Sequence, residues 1–203
     1  VVTSGMMAKM FLAQKVKSGR VAYLGTANSA HYILDADLRA VSVSALDLDD
    51  CDDVSAMVFL DDEGFDWNHD INKTVNLLRK QNIPAIVANG DKLYPVAKND
   101  VSIATGGIAK LVESILNRKF IHFGKPDTQM FNYAFETISQ FEAIDKSDIL
   151  MVGDTLHTDI LGGNKFGVMT MLVLSGNTSE KEVDVRVRST GIIPDFICES
   201  IVS

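Results

Sequence analysis

Residues 151–160, Met-Val-Gly-Asp-Thr-Leu-His-Thr-Asp-Ile, form the stretch that best defines the fold. The apolar run Ile149–Val152 predicts a buried strand that stops at Gly153, where a glycine lets the backbone turn sharply. Asp154 leaves the strand end, where a carboxylate can bind a hard cation such as Mg²⁺. Asp159 falls near the start of the next helix, where it can cap that helix or hold a lysine. A bare Gly-Asp pair would indicate only a cap and a solvated turn, but the full Gly-Asp-x-x-x-Thr-Asp spacing is more specific.

Outward from this stretch, short apolar runs alternate with longer segments of helical period. The predicted strands lie at 21–24, 56–60, 84–88, 120–123, 149–152, 168–174 and 195–197. The predicted helices lie at 72–80, 108–116, 130–141 and 160–166. This alternation predicts an α/β fold with a parallel sheet and right-handed crossovers. Ligands of such sheets gather at the carboxyl ends of the strands, so the polar turns after Phe123 and Val152 are the first places to look for chemistry.

The composition limits the classes of function and location. The net charge of −8 argues against a general nucleic-acid or membrane-surface protein, because either would favour a basic patch. Cys51 and Cys198 lack the spacing of metal ligands and are expected to be free thiols in a reducing compartment. Because there is neither an apolar run long enough to span a membrane nor a secretory signal at the start, we expect a cytoplasmic protein.

The opening residues Val1–Gly5 look like part of a strand, and the chain has no initiator methionine. We therefore expect that an upstream segment is missing.

Several motifs together resemble the NagD-like (subfamily IIA) phosphatases of the haloacid-dehalogenase (HAD) superfamily. Besides the Gly-Asp motif, the matching stretches in order are Thr-Ser-Gly at 3–5, Asp-Asp-Glu-Gly-Phe-Asp-Trp at 61–67, the strand and turn at 86–91, and Phe-Gly-Lys-Pro at 123–126. The resemblance spreads over essentially the whole chain. It implies a Rossmann-like HAD core, incomplete at its N-terminus, with an inserted α/β cap domain of the C2 type.

The resemblance implies a role for each residue of the motifs. Lys125 would neutralise charge on a transferring phosphoryl group, although a lysine in a turn would by itself indicate only an exposed side chain. Asp154 would be a ligand of Mg²⁺, and Asp159 would orient Lys125 or the waters of the metal. Thr158 would support the turn. His157 could touch the substrate, but a solvent-facing position is the more common one for such a histidine.

The family's nucleophile and general acid/base belong to an Asp-x-Asp at the end of a first strand, and no such motif fits here. Asp35-Ala36-Asp37 has the right residues but follows a helical stretch, so we interpret it as a surface loop. Residues 145–148 precede their strand and lie at its wrong end. The acidic stretch 47–53 is most simply a solvated loop. We therefore expect the nucleophile to lie outside this chain. The chain by itself is then expected to show no catalytic turnover.

The family's domain pattern predicts three segments. They are a core segment at 1–18, a cap at 19–119 and the C-terminal part of the core at 120–203. Asn89, Asp91 and a predicted turn at Gly106-Gly107 are the cap positions nearest the family's substrate-facing segments, although each could equally be a plain turn. The expected partner is a small phosphorylated metabolite, and the family makes a homodimer plausible.

Two other classes of function stay open. One is a non-catalytic HAD-like binding protein or pseudoenzyme. The other is a different doubly wound Mg²⁺ or phosphate binder, such as a receiver-like module, that resembles the family only around Asp154.

Overall fold

The structure, a computed structural model, describes residues 1–97 and 100–201. In chain order its elements are α1 (Ser4–Lys15), β1 (Arg20–Leu24), α2 (His31–Leu34), β2 (Arg39–Ser42), β3 (Val54–Phe59), α3 (Trp67–Lys80), β4 (Ala85–Val87), β5 (Leu93–Ala97), β6 (Asp100–Ile103), α4 (Thr105–Leu116), β7 (Ile121–His122), α5 (Thr128–Ser139), β8 (Leu150–Gly153), α6 (Leu161–Phe166), β9 (Met169–Val173), α7 (Val183–Thr190) and β10 (Phe196–Cys198). They form two compact units, the first mainly Thr3–Tyr94 with Val101–Gly124, the second mainly the residues from Lys125 onward.

The first unit is built on a five-stranded sheet in the order β2-β1-β3-β4-β7, in which neighbouring strands run parallel. Strand β3 is apolar along most of its length, as expected of a strand buried on both faces. Helices α3 and α4 contribute Leu77, Ile108 and Val112 to the same core. Phe59 and Phe120 stack within it, their ring centroids 5.5 Å apart.

The second unit contains a three-stranded parallel sheet in the order β10-β9-β8. In its core, Ile160 and Leu172 pack with Val183 of α7 and with Ile192, which follows α7. Helices α5 and α6 pack through Phe131 and Phe166, whose ring centroids lie 5.6 Å apart. The predicted α/β class with parallel sheets is thus confirmed in both units.

The prediction of a strand at Val1–Gly5 is wrong, because α1 begins at Ser4. The Thr3 hydroxyl accepts a hydrogen bond from the Met6 N–H at 3.2 Å, which satisfies one of the donors left over at a helix N-terminus. The residues that follow, Met-Met-Ala-Lys-Met, are good helix formers and outweigh the strand-like first pair of valines.

The chain passes from the first compact unit to the second after Gly124, and the predicted segments 1–18, 19–119 and 120–203 stay a prediction. Ile121 and His122 pair with Ile86 and Val87 of β4, so the segment before Gly124 completes the sheet of the first unit. Helix α1, expected in a core segment, also belongs to the first unit. Which unit acts as cap and which as core stays a prediction.

Several elements were not predicted. Strands β5 and β6 form a two-stranded sheet whose side chains are largely exposed, so they lack the buried stripe on which a periodicity argument depends. Helices α2 and α7 are short or mostly polar on their surfaces. The helix predicted at 160–166 begins instead with a π-helical turn at Leu156–Ile160, followed by α6. Within the described residues, no helix is both long and apolar enough to cross a membrane.

Candidate functional site

The centre of the site is an ion pair between Lys125 and Asp159. The Lys125 Nζ lies 2.5 Å from the Asp159 Oδ1, although 34 residues separate the two in the chain. The Asp159 side chain is 4% exposed and that of Lys125 is 34% exposed, so the carboxylate anchors an ammonium group that still reaches solvent. An ammonium group has three donors, and this pair uses one of them. The structure therefore holds a lysine in place beside the end of β8.

Thr155 connects this pair to Asp154. Its backbone N–H donates to the Asp159 Oδ2 at 3.1 Å, and its hydroxyl lies 3.1 Å from the Asp154 Oδ1. Gly153 makes the turn possible, because a Cβ at that position would overlap the Asp159 carboxyl group. The strand end thus places two carboxylates in one hydrogen-bonded network, with Asp159 buried and Asp154 partly exposed.

A third segment, which the sequence analysis missed, completes the network. It is the loop after β9, where the Asn177 N–H donates to the Asp154 Oδ2 at 2.8 Å. The Asn177 side-chain Nδ2 donates to the Thr155 Oγ1 at 2.9 Å. A signal for it existed in the sequence: Ser-Gly-Asn-Thr at 175–178 is a polar turn after an apolar run. Because β9 runs parallel to β8 and pairs with it, their carboxyl ends lie at the same edge of the sheet.

The donor set allows a test of whether Mg²⁺ fits here. Mg²⁺ prefers oxygen ligands, keeps several waters and is commonly bound by one or two carboxylates together with substrate phosphates. Asp154 meets this requirement as one carboxylate ligand, since it is partly exposed and each of its oxygens has a second lone pair. Among residues 1–97 and 100–201, no group of three His, Cys, Asp or Glu side chains could hold a metal ion. The chain fits Mg²⁺ as the source of one ligand, not of a full protein cage.

The other predicted positions have local roles in the first unit. The Asn89 side chain accepts the Asp91 N–H at 3.0 Å, which is a turn-forming contact. The predicted turn at Gly106-Gly107 is wrong, because both residues lie in the first turn of α4, where the Gly106 N–H donates to the Asp91 carbonyl at 2.9 Å. A contact of Asn89 or Asp91 with substrate remains a prediction.

Two further acidic or basic positions lie at the surface. His157 is exposed on the π-helical turn. Asp35 is exposed after α2 and lies 3.4 Å from the Lys9 Nζ, in keeping with the interpretation of residues 35–37 as a surface turn.

Known proteins resemble this chain in sequence and in fold. Residues 122–202 match the HAD-hydrolase-like family model. The crystal structure of a possible sugar phosphatase of the HAD superfamily from Cytophaga hutchinsonii superposes with a TM-score of 0.95 at 57% identity, covering all of this chain and 71% of that one. A glycerol phosphate phosphatase from Mycobacterium tuberculosis, solved with magnesium, superposes with a TM-score of 0.75 at 26% identity over 98% of this chain and 55% of that one.

Among curated proteins, mouse chronophin is 29% identical over 98% of this chain and 68% of its own length. The chain spans 54% of rat chronophin, so it matches only part of the relative's length there. The family model, the superposition and the motifs agree in one assignment. The chain belongs to the haloacid-dehalogenase superfamily, among its NagD-like phosphatases.

Proposed function

We propose that these residues form the lysine- and metal-bearing part of a Mg²⁺-dependent phosphomonoester hydrolase, whose nucleophilic aspartate lies outside this chain. The observation that carries the proposal is the network from Lys125 through Asp159 and Thr155 to Asp154. It combines a fixed cation with a carboxylate suited to a hard metal ion, which is the pairing that phosphoryl transfer requires.

Each residue has a distinct task in the proposed reaction. Lys125 holds a non-bridging oxygen of the phosphoryl group and offsets the charge that spreads over it in the transition state. Asp159 keeps the ammonium group in place through their ion pair, at the cost of burying its own charge. Asp154 would hold Mg²⁺, which when bound would supply further positive charge to the phosphate oxygens.

The covalent chemistry requires a nucleophile that these residues do not supply. A carboxylate oxygen of an aspartate would attack phosphorus, the bond from phosphorus to the ester oxygen would break, and the alcohol would leave with a proton from a general acid. Water would then hydrolyse the aspartyl-phosphate and release inorganic phosphate. Small sugar or polyol phosphates are the first substrates to test, because two of the superposed proteins are named for such activities.

The decisive experiment compares the 203-residue chain with the longest product of the gene that encodes it. Release of phosphate from p-nitrophenyl phosphate is measured with MgCl₂ and with EDTA. We expect Mg²⁺-dependent release from the longer product and none from an intact-mass-verified sample of the 203 residues. Turnover by the short chain would refute the claim about the nucleophile. An inactive longer product would instead favour a non-catalytic binding protein.

A second experiment tests Asp154 in the longer product. Asp154→Asn removes the charge and is expected to lower phosphate release at least a hundredfold, with partial recovery at high Mg²⁺. Asp184→Asn, an exposed position in α7, is the matched control and should leave the rate unchanged. An unchanged Mg²⁺ dependence in Asp154→Asn would remove Asp154 from its proposed role.

A further inference from the structure

The loop after β9 is fitted closely to the Asp154 carboxylate. The Asn177 N–H donates to the Asp154 Oδ2 at 2.8 Å. Gly176 lies so near that a Cβ there would overlap the same Oδ2, so this position has no room for a side chain. The loop itself is anchored from α7, since the Arg186 guanidinium donates to the Asn177 carbonyl at 3.2 Å. The backbone around Asn177 is therefore held in a fixed place against the carboxylate.

The directions of the side-chain hydrogen bonds follow from the chemistry of the groups. An amide nitrogen only donates, so the Asn177 Nδ2 must donate to the Thr155 Oγ1, 2.9 Å away. The Thr155 hydroxyl has one hydrogen, and its oxygen already accepts from Asn177. That hydrogen is therefore available for the Asp154 Oδ1 at 3.1 Å. Each oxygen of the carboxylate thus has its own donor, and one of these two donors is oriented by Asn177.

We propose that Asn177 is a positioning residue, which acts through the Thr155 hydroxyl to hold the Asp154 carboxylate in one orientation toward a bound cation. This inference rests on the proposed function, because it assigns a purpose to the orientation of Asp154. Rotation about the aspartate Cα–Cβ bond has three staggered wells and sets where the carboxylate lies, so a partly exposed aspartate without such donors samples several of these rotamers. Groups that orient a metal ligand commonly change metal affinity or activity by about 10–100-fold when they are removed.

The orientation can be measured without metal and without activity. In the isotope-labelled 203-residue chain, three-bond couplings across the Asp154 Cα–Cβ bond report its side-chain rotamer by NMR. Wild type is expected to show the couplings of one rotamer, whereas Asn177→Ala and Thr155→Val should show averaged values. Thr155→Ser keeps the hydroxyl and should restore the single rotamer. Asn72→Ala, whose amide bonds the Asn68 carbonyl within its own helix, is the matched control.

Asn177→Asp gives a sharper version of the same test. A carboxylate at this position accepts instead of donating, so the Thr155 hydroxyl turns toward it and away from Asp154. We expect averaged Asp154 couplings in this variant at neutral pH. Because Asn177 is exposed, the midpoint of thermal unfolding should stay within about 2 °C of wild type in each of its variants, which separates positioning from a loss of folding. A single unchanged rotamer in both Asn177→Ala and Asn177→Asp would overturn the proposal.

The consequence for the cation is tested in the longer gene product by Mn²⁺ titration followed by EPR and by the Mg²⁺ dependence of phosphate release. Asn177→Ala should weaken Mn²⁺ binding and raise the Mg²⁺ concentration for half-maximal rate roughly tenfold, with kcat at saturating Mg²⁺ changed less than about twofold. In Thr155→Ser, which keeps the hydroxyl, Mn²⁺ binding and the Mg²⁺ concentration for half-maximal rate should both return to their wild-type values. Averaged couplings without a change in cation binding would overturn the link to the cation. A longer product without phosphatase activity would overturn the proposed function, while the couplings would still decide whether Asn177 orients Asp154.

Discussion

Glu113 offers a quantitative test of what stabilises the first unit. It lies in α4 with its side chain 4% exposed, and three donors surround it: the Phe120 N–H at 2.6 Å, the Lys110 Nζ at 2.8 Å and the His122 Nε2 at 3.1 Å. Burial raises the pKa of the Glu113 carboxyl, but the hydrogen bonds from Lys110, the Phe120 N–H and His122 outweigh it, and the pKa falls from its ordinary 4.5 to about 2.

The size and sign of the effect follow from the two pKa values. One pKa unit corresponds to about 1.4 kcal/mol, so ionised Glu113 stabilises the folded unit by at most about 3–4 kcal/mol near neutral pH. Because the folded-state pKa is depressed, this contribution is fully present above pH 4.5 and is lost as the pH falls towards 2. Roughly 1.4 kcal/mol should remain at pH 3. Glu113→Gln removes the charge at every pH, so its free energy of unfolding should approach that of wild type as the pH falls.

Urea unfolding followed by tryptophan fluorescence is suited to this measurement. Trp67 is the only tryptophan of the chain and lies at the start of α3, so its emission reports on the first unit. We expect Glu113→Gln to lose about 2–3 kcal/mol of unfolding free energy at pH 7 and clearly less at pH 3.5. The exposed Glu63→Gln is the control and should lose less than about 0.5 kcal/mol. A gap between Glu113→Gln and wild type that is the same at both pH values would refute the reasoning.

Three further predictions concern the helix start and the site. Thr3→Ala should destabilise the chain by about 0.5–2 kcal/mol in urea unfolding, because it removes the side-chain acceptor at the start of α1, whereas Thr3→Ser should not. Asp159→Asn should lower the free energy of unfolding by about 1.5–3 kcal/mol, because Lys125 loses its charged partner. A double-mutant cycle with Lys125→Met should show a coupling energy above about 0.5 kcal/mol, and additive effects would contradict the ion pair. Gly176→Ala should displace the Asp154 carboxylate and weaken Mn²⁺ binding about tenfold by EPR, and unchanged binding would contradict the close contact.

The parallel α/β class was predictable because the buried strands consist mostly of apolar residues. Val54–Phe59 is buried at five of its six positions and Met169–Val173 at three of its five, and such apolar runs are visible in a single sequence. Strands β5 and β6 are largely exposed along their lengths, so nothing in their pattern distinguishes them from a loop. The pairing of Ile121 and His122 with β4 could not be derived from the sequence, because the two strands are distant from each other in the chain.

The site was partly predictable for a related reason. Asp154 and Asp159 belong to one short motif whose spacing suggested them, whereas Lys125 was assigned through the resemblance of residues 123–126 to a family motif. Their connection could not be derived from spacing, since the Lys125–Asp159 pair joins residues 34 apart. Asn177 was missed because asparagine in a Gly-Asn-Thr loop is most often a turn former, and only the adjacency of β8 and β9 brings it to the carboxylate.

The open edge of strand β8 affects how readily the purified chain aggregates. Among the described residues it pairs on one side only, with β9, and its Leu150 and Val152 side chains are 39% and 38% exposed. An apolar strand with an open edge is a template on which another polypeptide can add a strand. The 203-residue chain should therefore aggregate on mild heating, and its light scattering should grow with protein concentration. Leu150→Lys, which places a charge on that edge, should suppress the scattering more than it alters the unfolding midpoint.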